Sequence, residues 1–142
     1  MKIKTKLKGD KTLIAKIKSA QDISSLIFSL INKFTTDIKL GTQRAMLFPK
    51  SGKIYYYKGR KYKASAPGEV PAYRSGELFR SIQTSTSSLP GFIKGTVYTD
   101  VKYAKILRDD MDRPIFEPAF NKVDMVFAKA VKEALMRKFA WP

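Results

Sequence analysis

Ile23, Leu26, Ile27, Leu30, Ile31, Phe34 and Ile38 recur at steps of three and four, so they fall on one stripe of a helix. A stripe of that length needs a surface to pack on along most of its course, which commits the chain to a fold built around one long helix. Asp22 precedes the stripe as an N-cap, with Ser24 and Ser25 in the first turn. The periodicity carries the helix to about Met46 in spite of Gly41, and Pro49 ends it. Upstream, Leu13, Ile14 and Ile17 with Lys11, Lys16 and Lys18 on the other side predict a separate short helix over about residues 12–19. Before it, Lys2, Lys4, Lys6 and Lys8 alternate with apolar or β-branched residues, the period of a strand whose lysine face guards an edge.

The remaining chain reads mostly as strands and short helices. Residues 53–63, KIYYYKGRKYK, place Lys58-Gly59-Arg60 between two β-prone runs and predict a hairpin. Residues 64–82, ASAPGEVPAYRSGELFRSI, begin with rigid Pro67-Gly68 and Pro71. Ser75 then stands as the N-cap of a short amphipathic segment holding Leu78 and Phe79. A second hairpin follows from the polar run after Ser81, a Leu89-Pro90-Gly91 turn and the returning FIKGTVYT. Residues 101–107 suggest a helical turn, and Pro114 and Pro118 bracket a rigid stretch. Phe120, Val123, Phe127, Val131, Leu135 and Phe139 mark a closing amphipathic helix. The sum is one α+β domain over residues 1–142, a small antiparallel sheet packed against one long helix and a C-terminal helix.

Composition narrows the chemistry. The chain has no cysteine and no histidine, which removes disulfides, thiolate nucleophiles, Cys/His zinc sites and the usual general base. Asp109, Asp110 and Asp112 read as a solvated turn, and no nucleophile elbow is present. No enzyme, cofactor or metal site is expected. Nor does any apolar run approach the roughly 18 residues that span a bilayer, and the basic N-terminus lacks the apolar stretch of a cleaved signal. A soluble protein without membrane contact is the expectation.

The net charge of +16 is unevenly spread. Residues 1–63 hold 16 basic and 3 acidic residues, a net +13, against +3 for the rest. Such asymmetry points to a polyanionic partner, either nucleic acid or an acidic protein surface. The candidate contact surface is the first hairpin, with Lys53, Tyr55, Tyr56, Tyr57, Lys58, Arg60, Lys61 and Lys63. Interleaved aromatics and cations stack single-stranded bases, or line a channel that meets phosphates without reading sequence. A tyrosine-rich hairpin packed on the sheet with its lysines in water is the purely structural alternative.

The order of elements and the wording of three blocks resemble the head–tail joining or tail-completion family of long-tailed bacteriophages. Residues 65–72, SAPGEVPA, resemble that family's Ala-Pro-Gly-Glu-x-Pro stretch through Pro67, Gly68 and Pro71. Ser75, Gly76 and Leu78, with Ser81 and Ile82, resemble its Thr-Gly-x-Leu-x-x-Ser-Ile motif, with serine in place of threonine. Tyr103-Ala104 resembles its Tyr-Ala segment, and Arg113-Pro114 with Pro118-Ala119 its Arg-Pro-Phe-x-x-Pro-Ala motif. Ile115 takes the aromatic slot and Phe116 follows one place later. Where relatives continue Tyr-Ala with a Glu-x-Gly-Thr turn, this chain has the more acidic Arg108-Asp109-Asp110-Met111.

The resemblance implies a structural virion protein of the neck, a minor tail component that completes the tail end and joins it to the DNA-filled head. A tail terminator is the alternative within phage assembly, and a non-sequence-specific nucleic-acid-binding protein the alternative outside it. Implied partners are other neck and tail proteins (connector, stopper, terminator or tail tube), genomic DNA in the channel, and further copies in a cyclic homo-oligomer. The implied location is the virion head–tail interface, reached from the host cytoplasm during assembly. The motif positions are implied to be structural: Gly76 for close approach or positive φ, Leu78 and Ile82 as core pins, and the prolines to aim Phe116.

Overall fold

A computed structural model describes residues 11–139. The lysine-alternating strand expected over residues 2–8 lies outside them. The described elements are α1 (Lys11–Leu47), β1 (Ile54–Tyr57), β2 (Arg60–Lys63), α2 (Glu77–Ser81), β3 (Gln83–Leu89), β4 (Phe92–Tyr98), α3 (Tyr103–Asp109) and α4 (Glu117–Phe139). The class is α+β, and its antiparallel strands form two separate two-stranded sheets, β1–β2 and β3–β4.

The first correction concerns α1. In place of a short helix and an Asp22-capped long one, a single helix of 37 residues runs through. Nothing between Ile17 and Ile23 breaks it: the intervening residues include neither glycine nor proline, and Ala20 keeps the apolar positions in phase. Asp22 is exposed inside the helix, where an aspartate costs only about 0.5 kcal/mol relative to alanine.

The stripe of α1 packs on both of its neighbours. On one side α4 lies against it, with Phe34 and Phe127 meeting edge to face at 5.2 Å. Gly41 sets how near α4 can come, since a Cβ there would lie 3.3 Å from that of Ala119. On another side sits β3–β4, whose Gly95 backbone presses on Ile31 and Thr35 so closely that a Cβ would fall 2.5 Å from Thr35 Cγ2. Thr86 Oγ1 donates to Asn32 Oδ1 at 3.1 Å and fixes the hairpin's position along the helix. Burial is deepest toward the helix C-terminus, at Phe34, Ile38, Thr42 and Met46, and only partial at Ile23, Leu26 and Ile27.

A second, more compact core forms around that C-terminal end. Met46, Val70, Leu78, Ile82, Ala104 and Ile115 are buried together, with Phe79, Val97, Leu107 and Phe116 packed on them. Several ties close it. Tyr73 N–H donates to Met46 O at 3.0 Å, and Gln43 Nε2 to Phe79 O at 2.8 Å. Lys50 Nζ donates to Ala45 O at 2.7 Å and satisfies one of the open carbonyls that every helix end leaves. Glu117 starts α4, and its Oε2 accepts from the backbone N–H of Ile115 and Phe116. Pro118 falls in the helix's first turn, where a missing N–H costs nothing.

Candidate nucleic-acid and partner interface

The β1–β2 hairpin is as the sequence predicts, joined by a two-residue turn. Lys58 and Gly59 have φ of 48° and 73°, and two positive values in succession make the type I′ turn whose twist suits a tight hairpin. Register decides what the hairpin presents. Tyr55 faces Tyr62 and Tyr57 faces Arg60, while Ile54 faces Lys63 and Tyr56 faces Lys61. Because alternate residues point to opposite sides, the hairpin has two chemically different faces.

The inner face is turned to the body. The rings of Tyr55 and Tyr62 stack with centroids 5.6 Å apart. The Arg74 guanidinium lies 5.3 Å from the Tyr55 ring centre and 4.9 Å from that of Tyr57. Lys58 Nζ lies 5.5 Å from the Tyr57 ring. Each such contact contributes about 0.5–1 kcal/mol when exposed. These tyrosines are therefore engaged within the chain, although Tyr57 stays 48% exposed, and the hairpin is a separate two-stranded sheet where the structural alternative packs it on the sheet. The outer face differs. Tyr56 is 73% exposed beside exposed Lys61 and Lys63, so among the predicted contact residues this group is open to a partner, and Ile54 on the same face is exposed too. Lys53 and Arg60 are exposed as well.

Between the inner face and the segment holding residues 71–79 lies a cleft of about 650 Å³. Tyr55, Tyr57 and Tyr62 form one wall, and Tyr73, Arg74, Glu77 and Phe79 another, with Tyr103, Leu107 and Arg113 among the other residues lining it. Burial pushes the Tyr103 phenol above its usual range, and the nearby Glu77 carboxylate adds to the shift.

The motif positions of the sequence sit mostly behind this cleft. Arg113 reaches from the loop before α4 to buried Ser65, with Nε donating to Ser65 Oγ at 2.7 Å and to Ser65 O at 3.1 Å. Gly68 N–H donates to Asp112 O at 2.6 Å. The block at residues 65–72 is thus tied directly to the Arg113-Pro114 block. Pro71 is buried and Pro67 exposed. Ser81 Oγ and Thr99 Oγ1 share a hydrogen bond of 2.6 Å, and Leu78, Ile82 and Ala104 are core residues.

One motif expectation needs correction. Ser75 is not the N-cap of α2: Gly76 holds that place at φ 79°, a conformation that strains any side chain, and Ser75 Oγ accepts from Glu77 N–H at 3.3 Å from one position earlier. In the Arg-Pro block Ile115 is buried to 3% exposure, and Phe116 packs against the same core.

Sequence reasoning missed Arg74 as the brace of the hairpin, Arg113 as the clasp on Ser65, and Glu69. The Glu69 carboxylate accepts from Ser51 Oγ, from Ser51 N–H at 3.2 Å and from Ala66 N–H at 2.8 Å. These bonds hold its pKa down to about 2. No group of three or more acidic residues that could hold a metal occurs among the described residues. No described helix is long and apolar enough to cross a membrane. Comparison with protein-family models, curated proteins and solved structures finds no match to the chain.

Proposed function

We propose that this chain is a structural protein of a bacteriophage neck, completing the tail end and joining it to the filled head. The observation that supports this reading most is the convergence of the three family-like blocks. Residues 65–72 are clasped by Arg113, and Val70, Leu78, Ile82, Ala104 and Ile115 close into one core. Residues whose wording resembles one family are thereby the residues that build the fold, as a shared scaffold requires. In an assembling ring the basic hairpin would face DNA or acidic neighbours. Exposed Phe120, Met125 and Val126 on α4 offer apolar surface for contacts between copies in a cyclic homo-oligomer.

Electron microscopy of lysates from a phage lacking this gene tests the reading. Separate filled heads and tails of normal length are expected. Overlong tails would move the role to tail terminator, and normal infectious particles would overturn a neck function. In that last case the outer hairpin face, with Tyr56 exposed beside Lys61 and Lys63, favours a non-sequence-specific nucleic-acid-binding protein.

A further inference from the structure

The β1–β2 hairpin is tied to the body at its base and again across the cleft. At the base, Gly52 N–H donates to Ala64 O and Ala64 N–H to Lys53 O, each at 2.9 Å. Next to these bonds the chain is fixed on both sides, Ser51 by the Glu69 carboxylate and Ser65 by Arg113. Beyond them the two strands pair only with each other, and neither packs along a helix or on β3–β4. Among the described residues no hydrogen bond or ion pair joins residues 54–63 to the rest of the chain. Four residues of strand, at about 3.3 Å each, carry the Lys58-Gly59 turn about 13 Å from that base.

What meets this arm from the opposite wall of the cleft is Arg74. Its Cζ lies 5.3 Å from the Tyr55 ring centre and 4.9 Å from that of Tyr57. The grip is modest, because Arg74 and Tyr57 are both exposed and cation–π contacts in water are weak. Two of them together weight an opening equilibrium by about tenfold. An anchored base, a short arm paired only with itself and one weak contact across a cleft make a hinged part. One side chain sets its position relative to the body.

We propose that the hairpin is a flap over this cleft, latched shut by Arg74 across Tyr55 and Tyr57 and opened by pivoting about Gly52 and Ala64. The shut state is the one in the structure. Opening widens the cleft and frees the inner faces of Tyr55, Tyr57 and Tyr62. The outer group of Tyr56, Lys61 and Lys63 is presented in both states. The latch therefore controls where that group stands and leaves its composition unchanged.

Spin labelling tests this on the intact protein, whose lack of cysteine leaves only the introduced ones to react. Double electron–electron resonance reads the distance from a nitroxide at Lys61→Cys, on the outer hairpin face, to one at Lys122→Cys on α4. A second preparation pairs Lys61→Cys with Lys94→Cys on β4, and all three positions are exposed. One dominant distance per pair is expected with Arg74 in place. Arg74→Gln should raise the ratio of a second distance to the first by about tenfold in at least one pair. Arg74→Lys, which keeps a cation, should fall between the two. Arg44→Gln, an equal loss of charge at an exposed position on α1, should match the parent. Distances that Arg74→Gln leaves unchanged in both pairs overturn the latch. So does a parent already spread over both distances, or an Arg44→Gln protein that opens as far. The readout uses no phage, so its failure leaves the neck reading untouched, and the reverse holds too.

Discussion

Thr42 is fully buried in α1, and among the described residues its hydroxyl has no hydrogen-bond partner. A buried hydroxyl without a partner costs about 1–3 kcal/mol, and removing it costs nothing in lost bonding. Thr42→Val, nearly the same shape, should therefore raise stability by about 1 kcal/mol, read as a higher midpoint in chemical denaturation. A lower midpoint would mean that the hydroxyl is satisfied after all. Glu69 makes the opposite case, an acid held charged by three hydrogen bonds that join residues 51 and 66. Its pKa falls from 4.5 to about 2 on folding, so the stabilisation is fully present above pH 4.5 and lost as pH drops toward 2. The gap in melting temperature between the parent and Glu69→Gln should be largest near neutral pH and shrink across that window. A gap independent of pH would show that charge on Glu69 contributes nothing.

Helices and hairpins obeyed their local signals to different degrees. Turn chemistry located both hairpins: Lys58-Gly59 and Pro90-Gly91 are where the chain reverses, and β3 and β4 pair without a slip from Gln83 opposite Tyr98 to Leu89 opposite Phe92. The division of α1 failed because a favourable cap residue starts a helix only where the preceding residues leave one, and those before Asp22 do not. Ser75 failed for a related reason, since Gly76 alone accepts the left-handed turn that α2 begins from. Docking of β3–β4 on α1 depends on the missing side chain of Gly95. Gly95→Val would set its Cβ 2.5 Å from Thr35 Cγ2 and 2.7 Å from Ile31 Cγ2, and should destabilise the protein by about 1–3 kcal/mol in thermal unfolding. An unchanged midpoint would mean that the hairpin is not seated on the helix.

Across the whole molecule, what could be read early was periodic and local. The long stripe, the closing helix and the α+β class follow from steps of two, three and four along the chain. The candidate surface was half legible. Alternation says that Tyr55 and Tyr57 share a face, but which face meets the body is set by Arg74, and no spacing announces that contact. The clasp of Arg113 on Ser65 spans 48 positions and leaves no periodic trace either. Resemblance found both ends of that clasp as separate blocks, and only the packed chain joins them.

At about 1.5 Å of rise per residue, α1 is a rod of about 55 Å, straight through the position where a joint between two helices had been expected. Its C-terminal end supplies Met46 to the cleft wall, while its other end lies several turns beyond the compact core. A jointed pair of helices would let those ends swing independently. One uninterrupted helix makes them a gauge, its length setting how far apart its two ends stand.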